Sequence, residues 1–198
     1  MSRWIQELTW PDVEQYLDGG DTVLVPVGAT EQHGHHCPIG TDAAEAIATA
    51  EEVAERADTL ITSPLWFGWS PHHLAFPGTI SLAAETLTRV VEDVCNSLVI
   101  HGFKHIVILN GHRVANLPPL EIAVVRVRNQ TGAAIAIVDL ALIAGKEIRA
   151  VCESPPGGVG HGCESETSFM PVSYTHLKMP TNREVKISVV DVSIKKKD

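Results

Sequence analysis

Three apolar runs constrain the fold of this chain more than any other feature: Thr22–Val27, 105–109 and 133–140. Each is built from Val, Ile, Leu and Ala with little polar alternation, so each reads as a strand buried on both faces. Gly28 closes the first. Helical patterns separate them. Residues 42–57 set Ala43, Ala46, Ile47, Ala50, Val53 and Ala54 on one face, with Asp42 as an N-cap type. The segment starting at Ser81 runs on to His101 with Leu87, Val90, Val91, Val94 and Leu98 inward, and Gly102 suits the left-handed position after a helix. Residues 118–130 and 142–152 supply further helices, Gly132 ending the former; 3–17 is a short helical or turn segment and 59–62 a short strand. Strands alternating with helices imply right-handed crossovers and a mainly parallel sheet covered on both sides, an α/β fold of three αβα layers.

A chain of 198 residues, 44% hydrophobic and 20% charged, suits one domain with a sizeable core. The net charge of −9, with no basic stripe before the last residues, disfavours nucleic acid as a partner. No stretch reaches the ~18 apolar residues of a membrane span. The first residues lack the apolar centre of a signal peptide, which makes a cytoplasmic location the expectation. Cys37, Cys95, Cys152 and Cys163 form no CxxC pair and are too few for a disulfide framework. Cys37 and Cys163, inside the motif loops, read as small apolar fillers, with a ligand or nucleophile as the alternative.

The end of the chain departs from this pattern. The helical spacing begun at 165–170 is lost at Pro171, because proline disfavours a helical residue before it. Residues 171–198 hold six Lys/Arg against three Asp/Glu, so the rest of the chain carries −12. The run 171–177 is similar to translated sequencing-adapter sequence. The expected division is therefore a domain over 1–170, incomplete at its C-terminus, and a foreign tail over 171–198. An edge strand at 187–192 is the alternative.

Chemistry concentrates in the loops. Glu31-Gln32-His33-Gly34-His35-His36, with Gly40-Thr41-Asp42, follows the first strand directly. In an extended chain Glu31 and His33, two apart, share a face and can grip adjacent metals. Mixed carboxylate and imidazole donors suit Zn²⁺, Mn²⁺ or Fe²⁺. A second loop, Asn110-Gly111-His112, follows the strand at 105–109. A third, 160–168, carries His161 and Glu166. Open α/β sheets bring such loops together at the carboxyl ends of their strands. The loop Trp66-Phe67-Gly68-Trp69-Ser70-Pro71-His72-His73 adds two histidines. No GxGxxG follows the first strand, which argues against a dinucleotide site.

These blocks, with Phe76-Pro77-Gly78-Thr79 and Glu166-Thr167-Ser168, resemble the creatininase (creatinine amidohydrolase) family in order and spacing across residues 23–170. The resemblance implies a metal-dependent hydrolase of three-layer α/β fold, commonly hexameric, with two divalent ions. It implies that Glu31 and His112 hold one metal, His33 the other, and that Asp42 bridges them. A glutamate two residues after the second loop's histidine completes the second metal in creatininase itself. Here that position is Val114, which cannot ligate, and Glu166 is the substitute candidate. His161 matches the proton-handling histidine, and His36 recurs in the pattern as a residue orienting a ligand. The usual Asn-Gly-His-Gly-Gly-Asn is here one residue longer and holds Arg113. That change, with Trp69-Ser70-Pro71-His72-His73, is similar to family members acting on oxidised inositols, the 3-dehydro-scyllo-inosose hydrolases.

The expected reaction is hydrolysis of a small cyclic substrate, either a cyclic amide or a ring ketone cleaved at a C–C bond. Two metals sharing Asp42 would hold a bridging hydroxide that attacks the carbonyl, and His161 would deliver the leaving-group proton. Ser70, His72, His73 and Arg113 are the candidate substrate contacts. The other reading is a non-catalytic metal-binding or assembly subunit of the same fold.

Overall fold

A computed structural model describes residues 2–154 and 160–177, the last seven by backbone alone. Four strands form one parallel sheet: β1 (Thr22–Val27), β2 (Leu60–Ile61), β3 (His105–Asn110) and β4 (Ala134–Asp139), in the order β2-β1-β3-β4. The register pairs Val27 with Asn110 and Asn110 with Asp139. Three strands therefore end on one level, and the loops leaving them start side by side.

The helices are α1 (Trp10–Leu17), α2 (Thr41–Ala57), α3 (Ala84–His101), α4 (Arg113–Thr131), α5 (Leu140–Ile143), α6 (Gly145–Val151) and α7 (Glu164–Leu177). One face of the sheet presents Val23, Val25, Val27, Ile106 and Ile108 to Leu87, Val91 and Leu98 of α3 and to Leu120, Ala123 and Val127 of α4. The other face presents Leu24 and Leu109 to Ala50 and Ala54 of α2, and α7 packs outside α2. β1 and most of β3 are thus covered by helices on both sides, in the expected three layers; β4, at the sheet edge, is not, since Ala134 and Ala136 are exposed. Each fully buried Leu or Ile contributes ~1.5–3 kcal/mol to that packing.

Four local expectations need correction. Asp42 is not an N-cap: Gly40 holds that position and Asp42 lies inside the first turn of α2. The helix expected over 118–130 begins at Arg113 and carries Pro118 and Pro119 inside it. Its first turn thereby follows His112 without a break. The segment 142–152 is two helices, parted at Ala144. The helix expected to stop at Met170 continues through Pro171 to Leu177; proline removes one N–H donor but does not forbid helical backbone. Gly102 and Gly132 do end their helices in the left-handed region, at φ 108° and 74°. Residues 155–158 of the third loop and the 187–192 alternative strand lie outside the described residues.

Candidate metal centre

Between β1 and β3 the connections diverge, β1 leading to β2 on one side and β3 to β4 on the other. Such a switch point leaves a crevice above the strand ends. Gly28 and Gly111 seat the start of α2 there. A Cβ on Gly28 would collide with the Ala43 backbone, and one on Gly111 with the Asp42 carbonyl. Main chain thus rests on main chain, and the Asp42 side chain is delivered between the two loops.

Its two oxygens face two different imidazoles. Oδ1 lies 3.0 Å from Nε2 of His33, and Oδ2 lies 3.0 Å from Nδ1 of His112. His33 donates from Nδ1 to the Glu31 carbonyl at 3.1 Å, which aims Nε2 at the carboxylate. Burial works against a charged His33, but the hydrogen bond and negative charge of Asp42 prevail and raise its pKa to about 9. His112 is raised in the same way against its burial. Asp42 is held below the usual carboxylate range by these two rings, although burial opposes it.

Glu31 is buried at the centre. Oε2 lies 3.3 Å from Nε2 of His112, and Oε1 lies 3.4 Å from Nδ1 of His161. Glu166 Oε2 accepts from the Gly162 N–H at 2.6 Å and stands 3.8 Å from Nε2 of His33; burial raises its pKa. Glu31 Oε2 and Asp42 Oδ2 are sequestered from solvent and accept no hydrogen bond of good geometry. Each faces the His112 ring, at 3.3 and 3.0 Å but poorly aligned, so two buried anionic oxygens are left short of the compensation a metal cation would give. Glu31, His33 and Asp42 bring donor atoms within 4.8 Å of one another, as do His33, His161 and Glu166 and also Glu31, His72 and His112. The residues present fit divalent ions.

The remaining expected residues are distributed around this cluster. His72, His73, Arg113, Val114 and His161 line a cavity of about 420 Å³ whose floor is Glu31 and Asp42. Ser70 does not line it. That residue is fully buried, with Oγ 3.3 Å from Nε2 of His112, so its hydroxyl steadies the ring. His36 hydrogen-bonds to the third loop. Its Nε2 donates to the Gly162 carbonyl at 3.1 Å, bracing the turn whose N–H meets Glu166. All four cysteines are free thiols; burial raises the pKa of Cys37, which suits a filler more than a nucleophile.

Several residues were not singled out from sequence. Gln32 takes the Gly34 N–H on Oε1 at 2.9 Å, which turns its NH₂ toward Nδ1 of His73 at 3.0 Å and Nε2 of His161 at 2.9 Å. Since the amide nitrogen only donates, both ring atoms accept. The ring protons then sit on Nδ1 of His161 and Nε2 of His73, and both face Glu31 Oε1, at 3.4 and 3.6 Å. Asn116 joins the loops by donating to the Gly28 carbonyl at 3.1 Å and accepting from the Trp69 N–H at 2.9 Å. Asn110 Oδ1 accepts the His112 N–H at 3.2 Å. Glu45 lies one turn beyond Asp42 on α2; burial and the charge of Glu166 push its pKa up to about 8. Its spacing from Asp42 was the available signal.

Fold and cluster together define a doubly wound α/β protein with carboxylate and imidazole donors for divalent ions at its switch point. The chain belongs to the creatininase family: residues 6–183 match the family model described as creatinine amidohydrolase. It is 40% identical over 117 residues to the creatinine amidohydrolase of Pseudomonas putida, covering 56% of this chain and 45% of that one. It is 31% identical over 120 residues to the 3-dehydro-scyllo-inosose hydrolase of Thermotoga maritima, covering 60% and 39%. A manganese form of creatininase superposes with a TM-score of 0.75 at 31% identity, over 89% of this chain and 75% of that one. A Zn-Zn form of a creatininase mutant gives 0.75 at 30%, over 89% and 74%. The matches cover about half or less of these two curated relatives.

Proposed function

We propose that this chain is a metal-dependent hydrolase that opens a small cyclic substrate at a carbonyl, a cyclic amide or a ring ketone. The observation that carries this reading is the single carboxylate of Asp42 with one oxygen on His33 and the other on His112, each at 3.0 Å. Asp42 would bridge two divalent ions, with Glu31 and His112 holding one and His33 and Glu166 the other. The manganese and Zn-Zn forms of its structural relatives support a site for divalent ions. Bound there, two divalent ions supply a water of lowered pKa and polarise the substrate carbonyl.

The chain's own side chains supply the rest. His161 carries its proton on Nδ1, at the Glu31 edge of the cavity, where it can pass to a leaving nitrogen or carbon. Burial and the neighbouring His33 lower its pKa, so the ring delivers a proton only after taking one up, the one released by the water that attacks the carbonyl. His72 and His73 border the space a substrate would fill. Its volume, about 420 Å³, is that of a small-molecule site. The loop after β2 leaves Phe67, Leu74, Phe76 and Ile80 exposed, apolar surface that a second copy would cover in a homo-oligomer.

Metal analysis and a substrate panel test the proposal together. Metal-replete protein is expected to hold up to two transition ions per chain and to turn over a lactam or a keto-inositol. Chelation should abolish that turnover, and Mn²⁺, Zn²⁺ or Fe²⁺ should restore it. Protein that takes up no such ion refutes the reading; metal without turnover leaves a binding or assembly subunit.

A further inference from the structure

Arg113 begins α4 directly after His112, and its side chain lines the same cavity as Glu31, His161 and Glu166. Its backbone is pinned, because Asn110 Nδ2 donates to the Arg113 carbonyl at 2.9 Å. Among the described residues its guanidinium makes no ion pair, and its buried Nε has no hydrogen-bond partner. A guanidinium stays charged at any working pH, and a buried N–H without an acceptor is costly.

The surroundings select the sign of the missing group. Glu31, Asp42 and Glu166 lie at the floor, turned to the imidazoles and not to Arg113. Two divalent ions would match those three carboxylates and the hydroxide they supply, leaving no negative charge for Arg113. Val114, next in the chain and 67% exposed, contributes no negative charge beside it. A hydroxyl could accept one N–H but would leave the charge uncompensated. A carboxylate matches the planar fork and the charge together.

We propose that Arg113 receives a carboxylate on the substrate, so that the site prefers small cyclic amides bearing an anionic group over neutral ones. The inference rests on reading the cavity as a hydrolytic site. It makes Arg113 a specificity residue that acts beside the reacting carbonyl.

The test uses matched probes on the metal-loaded full chain: 5-oxoproline against 2-pyrrolidinone, and dihydroorotate against dihydrouracil. Both kcat/KM and calorimetric binding are measured. The carboxylated member of each pair should be favoured by about tenfold or more, the scale of a charge-assisted contact. Arg113→Met should erase that ratio without loss of metal, and Arg113→Lys should keep part of it. Equal handling of both members, or a preference that survives Arg113→Met, overturns the assignment while the hydrolase reading stands. Binding of the carboxylated members that depends on Arg113, with no turnover of either, supports the assignment and counts against hydrolysis of these amides. Absence of both binding and turnover overturns the assignment.

Discussion

Gln32 Nε2 stands 2.9 Å from Nε2 of His161, and that contact fixes which nitrogen of the imidazole carries the proton. The same amide donates to His73, so one side chain sets two tautomers. Gln32→Ala should lower kcat by about tenfold or more while metal content holds, since only the orientation of the proton donor is lost. Gln32→Glu should move the acid limb of the pH–rate profile upward, because a carboxylate beside both rings favours their charged forms. An unshifted profile in Gln32→Glu would argue against the tautomer assignment.

Asp42 faces two imidazoles at once, whereas each imidazole meets one of its oxygens. Asp42→Asn should therefore reduce bound metal more than His33→Ala or His112→Ala does. Mass-spectrometric metal counts decide it. Full occupancy in both histidine variants would place the ions elsewhere.

His161 is an edge residue of the cluster and not one of the two rings on Asp42. His161→Ala should keep most of the metal and lower turnover by about 10²–10⁴-fold, the usual scale of a general acid. Parallel loss of metal and turnover would make the ring a ligand instead.

Metal uptake should depend steeply on pH. In the metal-free protein His33 holds its second proton up to about pH 9, and an incoming ion must displace it. Affinity should rise by about tenfold per pH unit from 7 to 9 for each proton released. The metal-free fold should behave oppositely. A raised folded-state pKa contributes stability that is fully present below about 6.5 and is lost as pH rises through about 9. Titration calorimetry and thermal melts between pH 6 and 9 measure the two trends. A flat affinity over that range would contradict the first.

The sheet was readable because β1, β3 and β4 are continuous apolar runs, a pattern that few other arrangements can bury. The helix after β3 was placed late because Pro118 and Pro119 look like a beginning when read along the chain. In three dimensions Arg113 to Leu117 already turn, and packing on α3 carries the prolines inside. The cluster was visible as residue types in three loops. Gln32 was not, since an amide has no titratable signature and its partners lie 41 and 129 residues away. Ser70 was taken for a substrate contact because its burial beneath His112 emerges only once the loops converge.

Gly28 and Gly111 have an implication for how such a site can change. The carboxylate at its centre is located by main chain pressed on main chain, whereas the wall of the cavity is made of side chains from separate loops. Exchanging a wall residue such as Arg113 need not shift the floor. Selectivity is therefore free to drift between substrates while the reactive centre stays put. A designer seeking a new substrate should alter positions 72, 73, 113 and 114 first and leave the two glycines alone.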